Sequence, residues 1–182
     1  PAGGGVLHAR ILAAPVLSVR EFVHRGEASG LVATALISGL SVDIGRRELA
    51  VLAERFGLEE PDLRLRGVRP ANGPGNVLQV LARFDGYGAT FTGHGARGVS
   101  AETVARTLAD DVDAYLASSA CIDEHLADQL LLPMALAGGG AFTTAKASDH
   151  LRSNAGLIEK FLAVEIAIDQ QSVDVWRVTI SR

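Results

Sequence analysis

Two histidines stand where an imidazole could do chemistry. His150 follows Ser148 and Asp149, and Asn154 lies four residues beyond it. The run predicts a loop entering a helix over residues 150–161, with Ser148 or Asp149 as N-cap, since short side-chain oxygens accept from first-turn N–H groups. Those N–H groups and the positive dipole end favour a phosphate at such a place. A neutral imidazole there can attack phosphorus or accept a proton. The second histidine opens His125-Leu126-Ala127-Asp128-Gln129. On a helix, positions 125, 128 and 129 share one face. An imidazole, a carboxylate and an amide together suit a polar ligand or a metal-bound phosphate. Taken singly, each residue has a plainer reading: a histidine at a helix start is more often a cap or packing residue, and an aspartate on a helix is more often solvated.

The elements that must position these groups can be read around them. Leu126, Leu130, Met134 and Ala137 form an apolar row that suits a core. Pro133 removes one backbone donor and crowds the preceding turn, which predicts a kink. Gly138-Gly139-Gly140 then end the helix. Phe142-Thr143-Thr144 reads as a buried strand, and residues 146–148 as the loop that leads to His150.

The rest of the chain alternates strands and helices. Residues 1–5 read as a glycine turn, and 6–11 and 16–22 as two strands. Arg25-Gly26-Glu27 breaks the pattern as a linker would. A strand over 30–40 precedes a helix over 44–56, with Ile44, Leu49, Leu52, Ala53 and Phe56 as its core face and Gly57 as its stop. A short strand spans 63–68. Residues 69–76 are irregular, and their Gly-Pro-Gly lacks the Walker pattern, so a surface loop is the better reading. Strands 77–84 and 89–92 make a hairpin about Asp85-Gly86. His94 reads as an exposed loop residue, with no second ligand at metal spacing. Ser100 caps a helix whose buried face carries Val104, Leu108, Val112, Tyr115 and Leu116. Strands 164–168 and 173–180 close the chain as a hairpin. The stretch 30–117 is thus a β-α-β-β-β-α unit.

Composition sets bounds. Forty-eight per cent hydrophobic residues suffice for a core, and a net charge of −4 argues against a broad basic surface while leaving room for a local basic groove. The lone Cys121 excludes an internal disulfide and suits a reducing cytoplasm; it reads as a small core filler. No run reaches the roughly 20 apolar residues that a helix needs to span a bilayer, so no membrane is expected, and the predicted location is cytoplasmic.

Several motifs together resemble one family, the RNA 3′-terminal phosphate cyclases. They are Pro1-Ala2-Gly3-Gly4-Gly5-Val6, His125-Leu126-Ala127-Asp128-Gln129, Leu132-Pro133-Met134-Ala135-Leu136-Ala137-Gly138, Phe142-Thr143, and Ser148 and His150 with Ser153-Asn154. In this order they extend from Pro1 toward the C-terminus. His125 stands where tyrosine is more usual in the family, and Ser153 where threonine is. The resemblance implies an α+β fold: part of a large cyclase domain of repeated β-α-β units, with a small α/β domain inserted. Its boundaries would be 1–26 for the large domain, 27–117 for the insert, and 118–182 for the large domain continued.

The resemblance also implies chemistry. His150 would be the nucleophile adenylated by ATP. His125, Leu126, Ala127, Asp128 and Gln129 would contact the nucleotide, and Asp128 would touch Mg²⁺ or Mn²⁺. The activity would be ATP-dependent conversion of an RNA 3′-phosphate to a 2′,3′-cyclic phosphate through a histidine–AMP intermediate and an RNA-adenylate. Its partners would be RNA 3′-phosphate ends and a preceding part of the same protein that supplies acidic, glutamine and arginine residues to the cleft. By this reading the 182-residue chain is inactive or badly impaired by itself. Assembly into a homo-oligomer stays open. The alternative is a non-catalytic, cyclase-like scaffold of RNA processing; such proteins are expected to lack the nucleophile that this chain keeps. A third reading, an enolpyruvyl-transferase-like enzyme, gives the histidine motif no role.

Overall fold

The computed structural model of the chain describes residues 6–13, 16–71, 73–85 and 87–182. The turns expected at residues 1–5 and at Gly86 lie outside them. The chain divides into two compact units: Glu27–Ala114 belong to one, and Arg10–Gly26 with Tyr115–Arg182 make the other.

The first unit runs β2 (Ala28–Ser38), α1 (Val42–Phe56), β3 (Leu63–Gly67), β4 (Gly75–Phe84), β5 (Tyr87–His94) and α2 (Ala101–Ala117), whose last turn passes into the second unit. Its sheet has the order β3-β2-β4-β5, with β2 and β3 parallel and the other pairs antiparallel. Ser41 caps α1 and Gly57 ends it in the left-handed conformation. Ser100 accepts from the Thr103 N–H, as expected of an N-cap. The buried side of α1 is Gly45, Glu48, Leu49 and Leu52; Leu49 and Leu52 are on the expected face, whose Ile44, Ala53 and Phe56 are only half-buried. Gly45 allows the close approach: a Cβ there would sit 2.6 Å from Leu65 and 3.1 Å from Ala35 and Ile37.

The second unit runs β1 (Arg20–Phe22), α3 (Glu124–Ala137), β6 (Gly140–Thr144), α4 (Asp149–Phe161), β7 (Glu165–Ser172) and β8 (Val175–Ser181), in a sheet of order β1-β6-β8-β7. β1 lies parallel to β6, and the other pairs are antiparallel. Phe142, Leu131, Leu151 and Val178 are fully buried between helices and sheet. Each such side chain contributes about 1.5–3 kcal/mol.

Some expectations need correction. Only Arg20–Phe22 is strand in the stretch read as two; residues 6–13 and 16–19 form none, and Leu7 and Ile11 are over nine-tenths exposed. A strand needs a neighbour for its N–H and C=O groups, and β6 pairs with this stretch only over three residues. α3 continues through Pro133 as one helix. The carbonyl that proline deprives of a partner belongs to Gln129, on the exposed side where water serves. The core row of α3 is Ala127, Leu131, Met134 and Ala135, while Leu126 is partly exposed. The closing turn falls at Val173-Asp174, because β7 extends to Ser172.

Candidate active site

The two histidine segments meet because β6, besides β1 and β8, carries a third, shorter neighbour. The Ile122 N–H donates to the Thr143 carbonyl at 2.9 Å, and the Cys121 N–H to the Thr143 hydroxyl at 3.0 Å. This fixes the approach to α3 alongside the end of β6, from which the loop to α4 departs. Tyr115 reinforces the junction by donating to the Cys121 carbonyl at 2.8 Å. Cys121 itself is buried.

Each helix start is capped by a side chain. Asp123 Oδ1 accepts from the N–H groups of His125 and Leu126 at 2.9 and 3.0 Å. Ser148 Oγ accepts from the Leu151 N–H at 3.2 Å. Two helix N-termini therefore open on one side of the unit. Between them lies a cleft of about 330 Å³, lined by Glu124, His125, Asp128, Gln129, Lys146, Ser148 and His150.

The structure thus brings His125, Asp128, Gln129 and His150 around one space. The His150 residue is exposed, outside the packed core. Ala127 is fully buried, backbone included, and offers no surface to a ligand, and Leu126 does not line the cleft. Gln129 folds back, its Nε2 donating to the His125 carbonyl at 2.9 Å. His125 is 86% exposed, with Nε2 3.9 Å from Glu124 Oε1. Across the helix pair, Asn154 Nδ2 donates to Asp128 Oδ2 at 3.2 Å. This bond ties α3 to α4 at the cleft and orients the carboxylate.

Three lining or supporting residues carry no role in the sequence reading. Glu124 sits on the first turn of α3 and pairs with Lys146 at 2.7 Å, which holds the Lys146 ammonium above its usual range through that hydrogen bond and charge. Ser148 reads only as a cap, and Asn154 only as part of a motif; its three-to-four-residue spacing from Leu151 and His150 is the one available signal. Among the described residues no three His, Cys, Asp or Glu side chains cluster to hold a metal ion. A single carboxylate with phosphate oxygens and water is nevertheless an ordinary Mg²⁺ arrangement. Asp128 fits it, since Asn154 engages only one of its oxygens.

A sheet-backed pair of capped helix starts thus presents two imidazoles, His125 and His150, two carboxylates, Glu124 and Asp128, and the Glu124-paired ammonium of Lys146 to one cleft. The family model for RNA 3′-terminal phosphate cyclase matches residues 1–168, and the chain belongs to that family. It is similar to the RNA 3′-terminal phosphate cyclases of Pseudomonas aeruginosa (43% identical over 166 residues, 91% of this chain and 48% of that protein), Salmonella enteritidis (41% over 172 residues, 93% and 49%) and Koribacter versatilis (41% over 171 residues, 94% and 48%). The chain spans about half the length of these curated relatives. No helix among the described residues is long and apolar enough to cross a membrane.

Proposed function

We propose that this chain carries the nucleotide-activating part of an enzyme that converts an RNA 3′-terminal phosphate to a 2′,3′-cyclic phosphate at the expense of ATP. The observation that supports it is the convergence of His150, at the mouth of α4, with Asp128 and Gln129 on one cleft. His150 attacks the α-phosphorus of ATP, and pyrophosphate leaves. The adenylyl group passes from the imidazole to the RNA 3′-phosphate. The neighbouring 2′-hydroxyl then attacks that activated phosphate, closing the ring and expelling AMP. Covalent capture divides one hard displacement into easier ones.

The chain's residues divide the remaining work. Asp128 would hold Mg²⁺ or Mn²⁺, a charge that offsets phosphate oxygens, with Asn154 orienting it. The positive dipole ends of the two helices, whose first N–H groups are held by Asp123 and Ser148, would favour negative charge, and Lys146, paired with Glu124, would add an ammonium. Gln129 and His125 would border the nucleotide. In this reading residues 27–117 are a small domain inserted into a larger one, and a further part of the enzyme completes the cleft. A non-catalytic RNA-processing scaffold remains the competing reading; the presence of His150 favours the enzyme.

The test is conversion of a 3′-phosphorylated RNA to a phosphatase-resistant product. The chain should be assayed alone and fused to the portion of the Pseudomonas aeruginosa relative that it does not match. The fusion is expected to convert RNA only with ATP and a divalent cation, and the chain alone poorly or not at all. A folded fusion that binds RNA but never converts it would favour the scaffold.

A further inference from the structure

The sheet of the first unit wears both helices on one face. A Cβ on Gly45 of α1 would meet Leu65, Ala35 and Ile37, and one on Gly93 of β5 would meet Val104 and Leu108 of α2. Strand register fixes what the other face carries. One row runs Arg66–Leu36–Val77–His94 and the next Arg64–Thr34–Gln79–Thr92. Arg83 lies four positions beyond Gln79 on the same side of β4. Two strand spacings across and four residues along put Arg83 about 16 Å from Arg64.

Charge on this face is one-sided. β2, β3, β4 and β5 hold three arginines, Arg64, Arg66 and Arg83, and no aspartate or glutamate, in a chain whose net charge is −4. All three are exposed, and none forms an ion pair among the described residues. Of the arginines on α1 and α2, Arg46 pairs with Asp43, Arg47 with Glu102, and Arg55 with Asp110 and Asp113, while Arg106 makes no ion pair among the described residues. Between the open-face arginines lie the hydroxyl and amide groups of Thr34, Gln79 and Thr92, with Gln79 reaching Thr92 at 3.4 Å, and the apolar side chains of Leu36, Val77 and Leu81. No aromatic residue of the four strands falls on these rows, so the face offers backbone contacts rather than base stacking.

We propose that this open sheet face binds the phosphate backbone of single-stranded RNA, without sequence preference. The proposal rests on RNA being this chain's substrate, as proposed above. Charge complementarity and the spread of the three guanidinium groups along a track carry it.

The test is fluorescence anisotropy of a labelled, 3′-phosphorylated single-stranded RNA against the chain across a salt series. Each phosphate neutralised on a single strand contributes about 0.7 to the log–log salt slope. Arg64→Gln/Arg66→Gln/Arg83→Gln together should therefore flatten the slope by about 2 and weaken binding. Arg46→Gln/Arg55→Gln, on the helices, should leave the slope unchanged. If the triple variant does not fold, each single variant should lower the slope by about 0.7. An unaltered slope, or no RNA binding by the unmodified chain, overturns the proposal. So does polyglutamate binding this face as tightly as RNA, which would mark it as a site for acidic protein. ATP-dependent labelling of the chain fused to the unmatched portion of the Pseudomonas aeruginosa relative reports on His150 separately: its absence would sink the enzymatic reading without moving the salt slope.

Discussion

Gly140→Ala should cost far more stability than its one added methyl suggests. Gly140 lies at φ +146°, immediately after the glycines that end α3. A Cβ there would overlap the Arg20 carbonyl oxygen of β1 and Met134 Cε of α3. Met134 has a flexible end and can yield. The Arg20 carbonyl is backbone, in a strand paired to β6 at this residue, and cannot yield without opening the pair. Backbone strain of about 1–3 kcal/mol adds to overpacking of about 1–3 kcal/mol, giving about 2–6 kcal/mol. With a urea dependence of about 2 kcal/mol per molar, the midpoint should fall by about 1–3 M. Trp176, the protein's single tryptophan, lies on β8 of the same sheet, so its fluorescence follows this unit. Gly156→Ala is the paired control. Gly156 is inside α4, and a Cβ added there would meet nothing within 4 Å, so alanine should stabilise by about 0.5–1 kcal/mol. If both variants unfold within about 0.5 kcal/mol of the parent, the idea that Gly140 sets the α3–β6 junction is wrong.

Other outcomes follow from single contacts. Glu48 is buried, accepts from Asn76 through Oε1, and has no partner for Oε2 among the described residues; burial raises its pKa. Because the folded state holds that proton more tightly than the unfolded state, stability from this group is full at acid pH and declines as pH rises through the raised pKa. Urea midpoints of Glu48→Gln should therefore gain on the parent as pH rises from acid to neutral; a constant difference would contradict this. Arg25 donates to the carbonyls of Tyr115, Leu116, Ser118 and Ala120 at 2.7–3.3 Å. Arg25→Met leaves these groups at the end of α2 without their cation and should cost about 2–4 kcal/mol by urea unfolding; a loss below about 0.5 kcal/mol would show that water replaces it readily. Asn154→Ala should weaken ATP binding with Mn²⁺ by about 10–100-fold in calorimetric titration, as loss of a group orienting a metal ligand does. Unchanged affinity would remove Asn154 from the site.

What is legible in the sequence is mostly local. Ser100 and Ser148 announce helix starts through short-range hydrogen bonds and Gly57 a helix end through its left-handed backbone, and the structure places all three there. Alternating apolar residues locate β2, β4 and β5 to within a few positions. The His125 and His150 motifs can be named but not joined, since their meeting depends on residues 121–122 lying along Thr143, a pairing more than 20 positions distant in the chain. Long-range partners also explain the misreadings. Glu48 sits on the buried arc of α1 by spacing, yet its charge conceals it until Asn76 supplies a bond. Arg25 looks like a linker residue because its acceptors are about 90 residues away. The apolar pattern of residues 6–19 resembles strands, but pattern alone gives no neighbour with which to pair.

The central claim is that one imidazole carries the adenylyl group. The direct measurement is incubation with ATP radiolabelled in its α-phosphate, followed by denaturing gel analysis of the chain and of its fusion to the unmatched portion of the Pseudomonas aeruginosa relative. The expected result is an acid-labile, alkali-stable protein adduct in the fusion, faint or absent in the chain alone, and gone in the His150→Ala fusion. An adduct of equal strength after that substitution, or none in a folded, ATP-binding fusion, would contradict it.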